Sequence, residues 1–401
     1  MLDGVNVALG ITGSIAAVKT VELVHELRRQ GATVRAVMSD SARGIIHPWA
    51  VEFATEQSVV TELTGRVQHI ELCGTSGWAD VLLIAPATAN SVGKIASAID
   101  DTPVTTCATT ALGSSIPVVI APAMHEPMYD HPGVLDAIEQ VESWGVSIVD
   151  PRIEEGKAKI ANEGSIISTL ARVTGDRPLS GRHVVVTSGA TAEPIDPVRV
   201  LTNRSSGRMG RAVARTCYAL GADVTVIHGV VGPQSLDNQF QPDWDTVSSY
   251  ATIKSVERTE ELIAETLDTT TDADALVSVA AIGDFTTTER TSKIRSGESL
   301  EVSFEPTPKL IDEVRNRHPD LPIVGFKAET SGDEQAMANA ARDILERASL
   351  SFVVANDASV MGATECEALF VAGDDVTAFD GSKSALGMEL GRRLALEFDD
   401  Q

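Results

Sequence analysis

Cysteine is scarce. The four residues Cys73, Cys107, Cys217 and Cys366 stand far apart and form no CxxC pair, which argues against a zinc ribbon or a disulfide framework. Aromatic residues supply only 4% of the chain against a hydrophobic fraction of 43%, so Val, Ile, Leu and Ala must build the core, the vocabulary of buried parallel sheets. No apolar run approaches the length needed to cross a bilayer. The opening stretch MLDGVNVALGITGS lacks a basic segment followed by an apolar one, so no secretory signal is expected and a reducing cytoplasm is. Positive charge is also sparse: nine lysines and 23 arginines face 57 acidic residues, for a net charge of −25. That balance argues against nucleic acid as a partner, because phosphate backbones are bound by basic surfaces. It suits a salt-loving host, since at molar salt the Debye length is only ~3 Å and the self-repulsion of an acidic surface is screened.

What is present has the rhythm of two α/β domains. Residues 5–9 read as a strand, 15–30 as a helix ended by Gly31, and 33–38 as the next strand. Further strands are predicted at 81–85 and 116–121, with helices near 89–99 and 133–144, an alternation that implies a doubly wound parallel sheet. Hydrophobic periodicity lapses in TGDRPLSG, residues 174–181, the marks of a linker. The division expected is therefore 1–175, a linker at 176–181, and 182–401. The second series places strands at 184–187, 223–228, 275–280, 323–326 and 352–355, a hairpin over 367–379 around a GDD turn, and a closing helix at 383–398.

Gly10, Gly13 and Ser14 fall where the first strand turns into the first helix. Bare N–H groups and the helix dipole there favour an anion such as phosphate, although many α/β domains place glycines at this turn only for packing. Asp40 could grip a ribose diol, but the loop lacks the full GxGxxG, so NAD is not favoured. More specific runs follow: HIEL at 69–72, APATANS at 85–91 and APAMHEPMY at 121–129. With GITGSIAAVK, their order and spacing resemble the flavin-containing cysteine decarboxylases, and among them phosphopantothenoylcysteine decarboxylase. The resemblance implies FMN held by Gly13, Ser14, Ser39, Ala87, Thr88, Asn90 and Thr106, with His69 as the catalytic base and Met124, His125 and Met128 on the substrate. It also explains the cofactor: direct loss of CO2 from a cysteine carboxyl leaves an unstabilised carbanion, whereas a prior oxidation of the neighbouring carbon provides a place for the electrons. A lone histidine among apolar residues is otherwise most often a satisfied core residue. Two departures stand out. His125 replaces the asparagine of the family pattern, and an imidazole N–H can still donate to a carboxylate. The substrate-clamp cysteine is not recognisable in EEGKAKIANEGS, residues 154–165, where Lys157 and Lys159 are candidate acids or mere solvent-facing spacers.

The run TSGATAEPIDPVRVLTNRSSGRMG, residues 187–210, reads as a strand, a Gly loop, a Pro-braced crossing and a helix opening at Ser206. It gathers Arg199, Arg204 and Arg208 with serine hydroxyls near a helix N-terminus, a cradle for phosphates. With AAIGDF at 280–285, KIR at 293–295, VGFKAET at 324–330 and AND at 355–357, this half resembles phosphopantothenate-cysteine ligase, and the fused order is that of the bifunctional prokaryotic enzyme of coenzyme A synthesis. The resemblance implies that Asn203 acts on an acyl-nucleotide, that Lys293 offsets phosphate charge, that Ala280, Asp284 and Phe326 shape the nucleotide site, and that Arg199, Ser206, Gly207 and Arg208 contact substrate. It also implies 4'-phosphopantothenate, cysteine and CTP as substrates and Mg2+ as the counter-ion, with no metal ligands identifiable. Lys293, Ile294, Arg295, Ser296 stand where KxKK is usual, one cation fewer, and Arg295 keeps charge without the same reach. Trimers of the flavin half and dimers of the ligase half are implied, and both together imply a higher homo-oligomer, of which a dodecamer is one form.

Three other functions share features with this sequence. A flavin prenyltransferase shares a PASANT-like run but carries no fused ligase. A catalytically silent regulatory subunit would fit the two substrate-side departures and is opposed by the retention of His69. A pair of NAD-binding dehydrogenase domains needs a glycine fingerprint that neither half has.

Overall fold

The computed structural model describes residues 1–229, 244–295, 301–329, 333–357 and 365–399. Ser296 of the KIRS run and Thr330 at the end of VGFKAET lie outside them. The chain divides into two compact units, Met1–Gly175 and Asp176–Gln401.

In the first unit the strands β1 Asn6–Ile11, β2 Thr33–Met38, β3 Val81–Ala87, β4 Val118–Pro122 and the short β6 Ser147–Ile148 form one parallel sheet in the order β2-β1-β3-β4-β6. β1, β3 and β4 are almost wholly buried, because helices cover both faces. The first crossover begins as a 3-10 helix, Ile15–Lys19, capped by the Ser14 hydroxyl, and only then becomes the α-helix Thr20–Arg29. A small antiparallel sheet sits beyond β4: β5 Met124–His125 pairs with β8 Lys157–Lys159, which pairs with β7 Arg152–Glu154. The segment from which the clamp cysteine is missing is thus a hairpin, with His125 and Lys157 as register partners. Sequence periodicity cannot expose strands of two or three residues.

The second unit opens with Leu179 fully buried in its core, so the end of the expected linker already belongs to this fold. Its sheet runs β13 Thr252–Val256, β12 Asp223–Gly229, β9 His183–Gly189, β14 Ala275–Ser278, β17 Ile323–Glu329, β18 Phe352–Asp357, β19 Glu365–Ala372, β20 Asp375–Ser382. The first six strands are parallel, and the hairpin β19–β20 adds an antiparallel edge. Alternation along each strand feeds two cores: Val184, Val186, Val226, Val277, Val324 and Val354 face one, while Val185, Ile227, Leu276, Ile323 and Val353 face the other. Two covered faces are what a run such as HVVVTSG requires. The expected Pro-braced crossing is instead a hairpin, β10 Ala192–Asp196 with β11 Arg199–Thr202, turning at Pro197 and Val198. A second small ladder joins β15 Phe285–Thr286 to β16 Glu305–Pro306. The next helix begins at Arg208 rather than Ser206, because Gly207 caps it in the left-handed region at φ +66°.

Candidate functional sites

In an open parallel sheet, ligands bind outside the carboxyl ends of the strands where the strand order reverses. For the first unit that point lies between β1 and β3, which continue from neighbouring positions to opposite sides. The residues expected around a flavin gather there. Gly13 and Ser14 follow β1, Ser39 follows β2, Ala87 ends β3 while Thr88 and Asn90 stand at the start of the helix after it, and Met124 and His125 follow β4. Hydrogen bonds stitch these loops together. The Thr12 hydroxyl donates to the Pro86 carbonyl at 2.8 Å and accepts from the Thr88 N–H at 3.1 Å. The Ser14 hydroxyl donates to the Ala123 carbonyl at 2.9 Å, and Ser39 N–H donates to the Ile11 carbonyl at 3.0 Å. Gly13 is required by packing, since a Cβ there would lie 2.4 Å from the Ser41 hydroxyl. Ser39 and Thr88 are N-caps of the helices Asp40–Arg43 and Ala89–Ala96.

His69 sits in the first turn of the short helix Gln68–Cys73, which packs on the helix Pro103–Gly113 that carries Thr106. Its Nδ1 is buried with no hydrogen-bond partner, an orphan that a native protein normally satisfies with water, an ion or a bound group. The Thr106 hydroxyl is engaged by the carbonyls of Asp100 and Thr102. Asn90, His125 and Met128 are exposed. Lys159 is committed to Glu154 at 2.6 Å, and that bond raises its pKa; Lys157 is exposed. The orphaned imidazole nitrogen and the stitched loops fit a bound flavin. Among the described residues no group of three or more His, Cys, Asp or Glu side chains could hold a metal ion.

The corresponding reversal in the second unit lies between β9 and β14. Ala281 N–H donates to the Gly189 carbonyl at 2.9 Å, Gly283 N–H to the Thr191 hydroxyl at 2.9 Å, and the N–H groups of Val279 and Ala280 to the Thr187 hydroxyl at 3.1 and 3.2 Å. The hairpin joins the same place. Thr202 donates to the Thr191 carbonyl at 2.8 Å, and the Asn203 amide nitrogen to the Ile282 carbonyl at 2.9 Å. Asn203, Ala280 and the turn leading to Asp284 are thereby brought together. Gly207 and the N-terminus of Arg208–Ala219 close against the same loop, because the Ser188 hydroxyl donates to the Gly207 carbonyl at 3.1 Å. Ser206 is exposed, Phe326 is half-buried on β17, and Asp284 is paired with Lys309. Arg204, Lys293 and Arg295 are exposed.

Arg199 behaves differently from a simple phosphate ligand. Its guanidinium bonds the Asp196 carboxylate and reaches the Ile294 carbonyl at 3.1 and 3.2 Å. Asp196 is held down to about 2, first by the Ile294 N–H and then by those of Val198 and Arg199. His228, at the end of β12, is pushed down to about 4 by burial and then by Arg211; its ring meets Trp244 edge-on, and its Nδ1 is an orphan. Nothing in the sequence marks Thr187, Thr191 or His228, and Asp196 is marked only faintly. The available hint was an acidic residue immediately before proline at the tip of a strand pattern.

Fold and sites define a two-domain α/β protein with hydrogen-bonded loops gathered at the switch point of each sheet. Residues 1–175 match the Flavoprotein family, and residues 179–395 match the DNA/pantothenate metabolism flavoprotein C-terminal domain. The chain is 45% identical over 93% of its length to the coenzyme A biosynthesis bifunctional protein CoaBC of Thermococcus kodakarensis, covering 90% of that protein. It is 33% identical over 96% of its length to the protein of that name from Methanocaldococcus jannaschii, covering 92% of it. Among solved structures, the FMN-dependent cysteine decarboxylase SpaF aligns with 44% of this chain and 100% of its own at TM-score 0.39 and 32% identity. The chain belongs to the family of coenzyme A biosynthesis bifunctional proteins.

Proposed function

We propose that this chain converts 4'-phosphopantothenate to 4'-phosphopantetheine in two steps, ligation to cysteine in the second unit and decarboxylation of the product in the first. The observation that carries this is the pairing, in one chain of this family, of two stitched switch-point loop clusters, one near an orphaned buried imidazole and the other holding Asn203 and a glycine-capped helix start that has no side-chain cap.

A carboxylate resists attack by an amine, so the phosphopantothenate carboxylate in the ligase half first attacks the α-phosphate of a nucleoside triphosphate, forming an acyl-nucleotide and releasing pyrophosphate; the cysteine amine then forms the amide and displaces the nucleoside monophosphate. CTP is the nucleotide proposed, and Mg2+ travels with its phosphates. Gly207, Ser206 and Arg208 would present N–H groups and charge to phosphate at the start of the helix. Lys293 would offset the charge that develops as pyrophosphate leaves. Asn203, its amide nitrogen anchored on Ile282, would hold the acyl-nucleotide in line, and Ala280, Asp284 and Phe326 would border the nucleotide.

In the first unit Gly13, Ser14, Ser39, Ala87, Thr88, Asn90 and Thr106 would surround FMN. When bound, FMN supplies a reversible two-electron acceptor, so the cysteine carbon is oxidised and later restored with no net oxidation. His69 would move the proton at the substrate sulfur, and His125 and Met128 would lie along the substrate. Trimers of the first unit, dimers of the second and hence a higher homo-oligomer are part of the proposal, as is a cytoplasmic setting, where the four free cysteines stay reduced.

Separation of function tests it. His69→Asn should stop CO2 release by roughly 10²-fold or more while pyrophosphate release continues, and Lys293→Gln should do the reverse when phosphopantothenoylcysteine is supplied directly. Loss of both activities from either substitution in a folded protein would contradict the assignment.

A further inference from the structure

We propose that Asp196 is a positioning residue for the ligase half, a buried carboxylate that pins the backbone between Lys293 and Arg295 to the hairpin bearing Arg199. The inference rests on the reading of Lys293 as the residue that faces the departing phosphates.

The Asp196 side chain is wholly buried and its two oxygens have separate duties. Oδ1 accepts the N–H groups of Val198 at 2.8 Å and Arg199 at 2.9 Å, which closes the hairpin turn. Oδ2 accepts the N–H of Ile294 at 3.0 Å and the Arg199 guanidinium. Arg199 in turn donates to the carbonyl of the same Ile294. Both backbone groups of one residue are therefore gripped by an Asp–Arg pair that lies 98 and 95 positions away along the chain. A turn alone needs only Oδ1. The second oxygen serves the Lys293 segment, which has no regular secondary structure of its own. Lys293 and Arg295 on either side are exposed while Ile294 is partly buried, so the peptide is fixed and the flanking cations project from it. Misplacement of a catalytic cation by about 1 Å costs up to roughly 10²-fold in rate, and this grip is what prevents it.

Asp196→Asn separates the two duties. The amide keeps an oxygen for the turn and replaces Oδ2 with an N–H2 group that faces two donors. Pyrophosphate release from phosphopantothenate and CTP should fall roughly 10- to 100-fold, CO2 release from supplied phosphopantothenoylcysteine should not change, and amide exchange in the peptide spanning 293–295 should accelerate. CTP binding, measured by calorimetry for Asp196→Asn, Lys293→Gln and the double variant, should be non-additive, the double resembling Lys293→Gln alone. An unchanged ligase rate in Asp196→Asn, or binding losses that multiply in the double variant, would overturn the tether. If Asp196→Asn does not fold, Ile294→Pro deletes the N–H from the other side and carries the same expectations. Full ligase activity in Lys293→Gln would instead remove the reading of Lys293 on which the tether depends.

Discussion

His228 illustrates how burial in a crowded loop makes a single residue sensitive to pH. The imidazole is buried at the end of β12 between Trp244 and two glycines of the neighbouring loops: a Cβ on Gly189 or Gly207 would lie 2.9 or 2.8 Å from its Cε1. Burial and Arg211 push its pKa down to about 4, whereas in the unfolded chain it titrates near ~6.5. Between those values the unfolded state holds the extra proton. The contribution to stability is therefore complete above the unfolded pKa and is lost as pH falls toward 4, with a total on the order of 3 kcal/mol. His228→Asn should flatten the fall in unfolding temperature of the full chain between pH 6.5 and 4.5; an unchanged slope would show that another group titrates. Glycine and arginine signals in TSGATAEPIDPVRVLTNRSSGRMG made the second site legible in the sequence, but Asp196 and His228 were not, because burial and orphaned atoms arise only when distant strands meet.

Among the elements, the closing helix Lys383–Asp399 packs on Arg208–Ala219 through two glycines one turn apart. A Cβ on Gly387 would meet the Thr216 hydroxyl at 2.6 Å and the Ala212 carbonyl at 3.1 Å, and that hydroxyl is itself bonded to Ala212 and Val213. A Cβ on Gly391 would meet a side-chain end rather than backbone, Leu220 Cδ1 at 2.4 Å, with Leu179 Cδ1 at 4.0 Å. Alanine gains ~1 kcal/mol of helix propensity over glycine, against an overpacking cost of about 1–3 kcal/mol. Gly387→Ala is therefore expected to destabilise and Gly391→Ala to be near neutral, an order that denaturant unfolding of the two variants checks directly. The reverse order would mean that the helices part more easily than their backbone contacts imply. The long strands and this helix were readable because their hydrophobic runs are long: residues 33–38 and 383–398 fall on or within one residue of the observed elements. The two-residue strand at Met124–His125 and the hairpin over Arg152–Lys159 were not, since a period needs several repeats to show itself.

For the whole molecule, a net charge of −25 repels itself at low ionic strength. Raising salt from 0.1 M to 1 M shortens the Debye length from about 10 to about 3 Å, so the unfolding temperature should rise across that range, more than for a charge-balanced protein of equal size; a fall would contradict the salt-loving expectation. Among the described residues no helix is long and apolar enough to cross a membrane, and the two units each carry a complete sheet. Both chemistries belong to one chain in this family. Purified protein incubated with FMN, phosphopantothenate, cysteine, CTP and Mg2+ should release pyrophosphate and CO2 in equal amounts once the intermediate reaches steady state. Pyrophosphate without CO2 would leave only a ligase, and release of neither would contradict the account.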